Sequence, residues 1–211
     1  MMKIRGFIEG FYNRKPKKND YGFENSNITH YIYAPKEDSH IRQKWRLKDK
    51  SLEARSIPKN IAQVYPLYPG ADFNRNSKKD FNFLLSKFNF AIDKGFSEVG
   101  LLFDDIDINN IGIESDDKDL GKFHGELISE VTVKLGLSNG WFCPSIYCES
   151  FSKKGIQNDK YLEGVSETIN NDLFFLWTGP KVISDFISLD HLKELGQVIK
   201  NPVVIWDNFY E

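Results

Sequence analysis

The chain has 211 residues, of which 40% are hydrophobic and 27% charged, and its formal net charge at pH 7 is -2. This length suits one domain with a sizeable core, and this composition is typical of a soluble globular protein rather than a disordered one. The charge disfavours electrostatic binding of nucleic acid, and no apolar run suits a signal peptide or a membrane span. We therefore expect no nucleic-acid partner, no membrane partner and a cytoplasmic setting.

Seven short apolar runs predict strands, and each run closes on polar or turn residues. In chain order they are residues 4–8, 31–34, 62–67, 99–103, 141–143, 173–177 and 203–206. Segments with helical periodicity lie between most of them. Because strands that alternate with helices are joined by crossovers, the sequence predicts an α/β fold with parallel strands.

Three helices are predicted with defined ends. Ser77 is placed as the N-cap of the first, which ends at Gly95, and its apolar face carries Phe81, Leu84, Leu85, Phe88 and Ile92. The second covers residues 120–135, before Gly136. The third begins at Ser188 and uses Leu189, Leu192, Leu195 and Ile199. The first two crossovers, residues 15–29 and 47–61, are poor helix candidates because the former is polar and contains a glycine and the latter contains a proline.

Two adjacent carboxylates, Asp104 and Asp105, directly follow the apolar run 99–103. Neighbouring Asp side chains push each other's proton affinities apart, so that one stays ionised while the other can hold a proton. Such a pair provides the two groups that acid/base catalysis needs, a proton donor and a proton acceptor. The same two residues also suit a strand end whose side chains cap a turn.

The other predicted strand ends carry polar groups that parallel α/β proteins bring to one face. These groups are Gly10, Tyr12, Lys36, Asp38, Tyr147, Thr178, Asp207 and Asn208. The sequence contains no glycine-rich phosphate loop and no Gly-x-Ser-x-Gly elbow. Carboxylates with amide, hydroxyl and aromatic groups favour glycoside chemistry among the common reaction classes.

The cysteines and histidines indicate neither disulfides nor a metal site. Cys143 and Cys148 are too few for a disulfide framework and fit no common zinc spacing, so we expect two reduced thiols. The four histidines are scattered, and we interpret His124 and His191 as surface or helix residues. We expect no metal and no cofactor.

Eight blocks in order across nearly the whole chain resemble the catalytic domain of the O-GlcNAcase family, the family 84 glycoside hydrolases. The blocks are RGFIEGFY (5–12), YIYAPKED (31–38), WR (45–46), PG (69–70), LLFDDID (101–107), FCPSIYC (142–148), WTGPKV (177–182) and IWDN (205–208). Their order is more specific than any single block.

The resemblance implies a (β/α)8 barrel that removes β-linked N-acetylglucosamine from modified Ser or Thr, with retention of configuration and without a metal. The nucleophile in that family is the acetamido oxygen of the substrate, which departs from the usual two-carboxylate scheme. By position, Asp104 would stay ionised, accept the acetamido N–H and stabilise the oxazolinium-like intermediate. Asp105 would be the general acid and then the general base.

The same resemblance implies a set of substrate-binding residues, which are Gly10, Tyr12, Lys36, Tyr147, Thr178, Val182, Trp206 and Asn208. In that family pattern, Lys36 and the Gly10 carbonyl bond sugar hydroxyls, and Tyr147 meets the reacting acetamido region. Asn208 bonds the sugar or the Asp pair, and the remaining residues shape the acetyl pocket. Each has a structural alternative: a solvated loop lysine, a turn hydroxyl for Thr178, a core residue for Trp206.

The chain departs from the family pattern at three places, one of which is that its first two helices are shorter than the family's. Ser145 and Ile146 precede Tyr147 where the family usually has Thr-Glu, and the sequence stops at Glu211, just after the seventh strand. We therefore expect a TIM (β/α)8-type barrel truncated after that strand, with residues 1–211 as a single incomplete domain.

Three explanations fit: a fragment or split gene, a compact variant that closes the open barrel edge as a homo-oligomer, or a decayed homologue. A hydrolase of N-acetylglucosamine-bearing glycoprotein or glycan is the first hypothesis, and an inactive domain that only binds N-acetylglucosamine is the second.

Overall fold

The computed structural model of the protein describes residues 4–9, 23, 27–54, 56–70, 72–104 and 117–208. Strands and helices alternate along this part of the chain. The strands are β1 (Gly6–Ile8), β2 (His30–Ile32), β3 (Ala62–Leu67), β4 (Glu98–Leu102), β5 (Trp141–Cys143), β6 (Phe174–Trp177) and β7 (Val203–Ile205). The α-helices are α1 (Lys78–Asp93), α2 (Lys118–Lys134), α3 (Lys160–Thr168) and α4 (Leu189–Val198). The chain divides into two compact units, residues 1–100 and 101–211.

The first unit contains three parallel strands in chain order, β1 to β3. Gly6 pairs with His30 and His30 with Ala62, so the carboxyl ends of these strands lie at one edge. Aromatic rings fill the core next to them. The ring of Phe96 packs edge-on against Tyr65 at 5.1 Å and against Tyr33 at 5.8 Å, measured between ring centroids.

Helix α1 begins and ends as the sequence predicts. The Ser77 side chain accepts a hydrogen bond from the Asp80 amide, which satisfies one of the free N–H groups at the helix start. Leu84 and Phe88 of the predicted apolar face are fully buried. Gly95 follows the helix with φ of +101°, a backbone conformation that glycine adopts without a Cβ clash.

The second unit contains three further parallel strands in chain order, β5 to β7. Trp141 pairs with Phe174, and Phe175 pairs with Val203. Every residue of β5 and β6 is buried, as expected for parallel strands covered on both faces. Just after β4, the Phe103 amide donates a hydrogen bond of 2.9 Å to the Cys143 carbonyl at the end of β5.

Helices α2 and α3 pack unusually closely because glycines face each other between them. A Cβ built on Gly121 would lie 2.0 Å from the Tyr161 carbonyl oxygen, and one built on Gly164 would lie 2.1 Å from the Lys118 carbonyl oxygen. Lys118 also bridges the pair through an ion pair of 2.6 Å with Glu163. The backbones of the two helices are therefore in direct contact.

The sequence predicted most of these elements correctly. All seven predicted strands are confirmed, and so are the helices at Ser77, at residues 120–135 and after Ser188. Helix α3 was not predicted, because it has only nine residues and includes Gly164. Placing Leu189 on the apolar face of α4 was wrong, because this first helical residue is 67% exposed.

Two predictions about individual side chains have opposite outcomes. Cys143 and Cys148 are both free thiols, as expected, and both are buried. His124 and His191 lie on helices, but a surface position was wrong for both because they are 3% and 8% exposed.

Among the described residues, no helix combines the length and the apolar character needed to cross a membrane. Association of copies at an open barrel edge stays a prediction.

Candidate active site

Asp104 lies at the carboxyl end of β4, where a fully buried segment meets a partly buried position. The preceding residue, Phe103, is 1% exposed, and its amide is bonded to the Cys143 carbonyl. The backbone that carries the Asp104 carboxylate is thus fixed by strand pairing. The predicted partner Asp105 and the predicted binding residues Gly10 and Tyr12 lie outside the described residues.

The segments after β5 and β6 are joined through Tyr147 and Thr178. The Thr178 amide donates a hydrogen bond of 2.9 Å to the Tyr147 carbonyl. The Thr178 hydroxyl is 2.8 Å from the Lys181 carbonyl oxygen, to which it donates, and the residue is only 3% exposed. The hydroxyl therefore holds the turn after β6, as in the turn interpretation of Thr178.

The same turn is joined to the segment after β7. The Asn208 side-chain amide donates to the Val182 carbonyl at 3.3 Å, and the Trp206 amide donates to the Trp177 carbonyl at 2.9 Å. Val182, Trp206 and Asn208 are all partly exposed. Each of the five predicted binding residues in this unit therefore takes part in a hydrogen bond between the ends of two of the strands β5, β6 and β7 or the segments that follow them.

A second hydrogen-bonded group fixes helix α4 against the end of β6. The indole N–H of Trp177 donates to His191 Nε2 at 2.9 Å, and the other ring nitrogen of His191 lies 3.1 Å from a Glu149 carboxylate oxygen. His191 therefore has a partner on each side of its ring. Sequence reasoning missed this arrangement, although the position of His191 on the apolar face of α4, four residues before Leu195, was a usable signal.

Lys36 belongs to the first unit and follows β2 as predicted. It is partly buried rather than fully solvated. The loop that carries it is held by Asp38, which accepts hydrogen bonds of 2.8 Å from the Tyr33 hydroxyl and from the His40 amide. An ordered backbone therefore presents the Lys36 side chain.

Lys87 is a buried cation in the first unit that sequence reasoning did not single out. It is 1% exposed, and its ammonium group donates to the Leu47 carbonyl. Burial lowers the pKa of Lys87 to about 8, against the opposing effect of the Asp38 and Asp49 carboxylates. Its place three residues after Leu84 on the apolar face of α1 was the available signal.

In chemical terms, the described residues of the second unit offer the half-buried Asp104 carboxylate after β4, a phenol after β5, and an amide and an indole after β7. A carboxylate in a partly dry site accepts N–H groups strongly and stabilises a developing positive charge. Phenol and amide groups suit neutral polar ligands that carry hydroxyl and amide functions.

Comparisons with known proteins point in the same direction. A model of the beta-N-acetylglucosaminidase family matches residues 5–210. Protein O-GlcNAcase of Rattus norvegicus is 31% identical over 222 residues, which cover 97% of this chain and 24% of that protein. This chain therefore spans about a quarter of the length of that curated relative.

Solved structures share the fold. The structure of an O-GlcNAc hydrolase mutant of Thermobaculum terrenum superposes with a TM-score of 0.79 at 22% identity and covers 98% of this chain and 48% of that chain. The structure of CpGH84B gives a TM-score of 0.80 at 23% identity and covers 98% of this chain and 39% of that chain. At these identities the likeness establishes the parallel α/β fold.

Proposed function

We propose a reaction for this chain from the premise that it belongs to the beta-N-acetylglucosaminidase family, whose model matches residues 5–210. The reaction is hydrolysis of β-linked N-acetylglucosamine from a glycoprotein or glycan, with retention of configuration. The observation that carries the proposal is the half-buried Asp104 after β4, next to the end of β5, which leads to Tyr147 and is hydrogen-bonded to the segment after β6. Asn208 follows β7 and bonds the Val182 carbonyl in the turn after β6.

In the proposed mechanism the acetamido oxygen of the substrate attacks its own anomeric carbon, and the bond to the leaving oxygen breaks. Asp104 accepts the acetamido N–H and stabilises the positive charge of the oxazolinium-like intermediate. Asp105 protonates the leaving oxygen and then takes a proton from the water that opens the intermediate. Two displacements at one carbon give net retention. Partial burial of Asp104 supports this role, because a lower dielectric strengthens its interaction with the developing charge.

The remaining residues bind and orient the sugar in this proposal. Lys36, Tyr12 and the Gly10 carbonyl contact sugar hydroxyls, Tyr147 meets the reacting acetamido group, and Asn208 bonds the sugar or the Asp pair. Val182, Trp206 and Thr178 shape the acetyl pocket. The hydrogen bond from Asn208 to the Val182 carbonyl supports a fixed pocket wall, and the Thr178 bond to Lys181 supports a role in shaping the turn.

We also propose that the seven strands belong to a TIM (β/α)8-type barrel in a single domain. The repeated strand and helix order with parallel pairing inside each unit supports it. The fold likeness to longer solved chains supports it as well.

Turnover of an aryl β-N-acetylglucosaminide tests the proposed function. We expect Asp105→Asn and Asp104→Asn each to lower kcat by about 10²–10⁴-fold, the contribution of a positioned proton donor or charge stabiliser. The matched control is Asp190→Asn, because the Asp190 side chain is 89% exposed on α4; it should keep wild-type kinetics. A thiazoline that mimics the oxazoline should inhibit the wild-type protein.

Two outcomes would contradict the proposal. One is a folded wild-type protein without turnover above background, and the other is undiminished turnover in both Asp variants. Absence of turnover together with a rise in Tm on addition of N-acetylglucosamine would favour the alternative, a domain that binds the sugar without hydrolysing it.

A further inference from the structure

We infer that His124 of α2 and Tyr161 of α3 are positioning residues that hold the two strand ends carrying Asp104 and Tyr147 in register. The inference rests on the proposed function for the roles of Asp104 and Tyr147. Neither His124 nor Tyr161 is among the residues that the sequence assigned to the site. Both lie in the second unit and are buried, with exposures of 3% and 2%.

The first contact acts on the strand end of Asp104. The imidazole of His124 stacks on the Phe103 ring with a centroid distance of 3.8 Å and an interplanar angle of 9°. The Phe142 ring of β5 packs edge-on against Phe103 at 6.0 Å. Because Phe103 immediately precedes Asp104, the ring stack limits the movement of the backbone from which the carboxylate projects.

The second contact acts on the strand end of Tyr147. The Tyr161 hydroxyl oxygen accepts a hydrogen bond of 3.0 Å from the Ser145 amide, two residues before Tyr147. A buried amide needs such an acceptor, because a buried N–H group without a hydrogen-bond partner costs free energy. The Tyr161 hydroxyl therefore fixes the backbone that leads from β5 to Tyr147.

One hydrogen bond joins these two contacts. His124 Nδ1 and the Tyr161 hydroxyl oxygen are 2.9 Å apart. Burial lowers the pKa of His124 to about 3, so the ring is neutral and remains a hydrogen-bond partner while it stacks. Burial also raises the pKa of the Tyr161 phenol, which keeps its proton. The pair thus connects the end of β4 to the end of β5 through two helices.

The close packing of α2 and α3 makes this bond possible. Gly121 leaves room for the Tyr161 backbone, and Gly125 leaves room for the Thr168 side chain, whose Oγ1 would lie 2.4 Å from an added Cβ. Because the backbones of α2 and α3 are in contact, the side chains of His124 and Tyr161 can reach each other. The sequence places glycines on α2 one residue after His124 and three residues before it.

The experiment compares Tyr161→Phe, His124→Phe and Thr132→Val with the wild-type protein. Tyr161→Phe removes only the hydroxyl, and His124→Phe keeps a ring against Phe103 but removes its bond to Tyr161. Thr132→Val is the matched control, because it removes a buried hydroxyl of α2 that bonds only carbonyls within its own helix. The readouts are kcat and KM for the aryl glycoside and the Asp104 signal in protein labelled with ¹³C at the Asp carboxyl carbons, assigned with Asp104→Asn.

We expect Tyr161→Phe and His124→Phe to lower kcat by about 10–100-fold with little change in KM, as misplaced charge-stabilising groups do. Both should shift the Asp104 carboxyl resonance, whereas Thr132→Val should change neither readout. Unchanged kcat and an unchanged Asp104 resonance in folded Tyr161→Phe or His124→Phe would overturn the inference. Equal effects in all three variants would also overturn it. If the wild-type protein shows no turnover, the proposed function fails while the carboxyl resonance still decides the positioning role.

Discussion

In each unit, buried charged or polar side chains on a helix interact with segments that lie between strands and helices. Lys87 donates to the Leu47 carbonyl from the middle of α1 and lies near the carboxylates of Asp38 and Asp49. Asp38 in turn bonds Tyr33 and the His40 amide in the loop that carries Lys36. A cation on a helix therefore supports the loop that presents another cation, Lys36, for the proposed sugar site.

The pKa of Lys87 makes stability depend on pH. In the folded chain this pKa is about 8, and in the unfolded chain it returns to its ordinary value of 10.5. Between these two values the unfolded chain binds more protons, so the free energy of unfolding increases with pH. We expect the wild-type protein to gain stability relative to Lys87→Met as pH rises from about 8 to about 10.5.

Urea denaturation of both proteins at several pH values measures this difference. Lys193→Met is the control, because the Lys193 side chain is 63% exposed on α4 and its removal should leave the pH dependence unaltered. A stability difference between wild type and Lys87→Met that is constant from about pH 7 to 10.5 would rule out the account of Lys87.

At the scale of elements, the close packing of α2 and α3 requires glycine at their interface. Gly164 has no space for a methyl group, because an added Cβ would lie 2.1 Å from the Lys118 carbonyl oxygen. Gly196 on α4 is the matched opposite case, since nothing lies within 4 Å of its added Cβ. The two glycines have similar helix propensity but different surroundings.

We expect Gly164→Ala to lower the free energy of unfolding by about 1–3 kcal/mol, because the helices must separate. Gly196→Ala should raise it by about 0.5–1 kcal/mol, because alanine restricts the unfolded chain and favours the helix. Thermal and urea unfolding of the two variants provide the measurement. If Gly164→Ala is as stable as Gly196→Ala, the close approach of α2 and α3 does not hold the unit together.

The elements also show what the sequence can and cannot predict. Continuous apolar runs that end on polar residues predicted all seven strands, and the strands that are buried throughout, such as β5 and β6, need such runs. Helix α3 was missed because it has only nine residues and includes Gly164, although Tyr161, Leu162 and Val165 are buried at helical spacing. Leu189 is exposed because it lies two residues before the buried His191, which with about 3.6 residues per turn places it on the opposite side of α4.

For the candidate site, the sequence predicted which residues lie at strand ends better than it predicted their hydrogen-bond partners. Asp104, Tyr147, Thr178 and Asn208 lie at strand ends as the alternation of strands and helices required. The hydrogen bonds that link Thr178 to Lys181 and His124 to Tyr161 join residues whose contacts depend on turn geometry and helix packing. The periodicity of apolar residues reveals neither turn geometry nor helix packing.

For the molecule as a whole, the resemblance drawn from eight ordered sequence blocks is confirmed by the family model over residues 5–210. The α/β fold with parallel strands is confirmed as well, and solved O-GlcNAc hydrolase structures share it. The 31% identity to rat O-GlcNAcase covers 97% of this chain, so the likeness extends well beyond the strand ends that carry the site. The proposed hydrolysis with retention of configuration unites the roles proposed for Asp104, Asp105 and the substrate's acetamido group.

The stereochemistry of the first product tests that claim most directly. A proton NMR time course of aryl β-N-acetylglucosaminide hydrolysis separates the two anomers of released N-acetylglucosamine before they interconvert. Two displacements at the anomeric carbon predict that the β-anomer forms first and the α-anomer appears only by mutarotation. Initial formation of the α-anomer, or no release of sugar by the folded protein, would contradict the account.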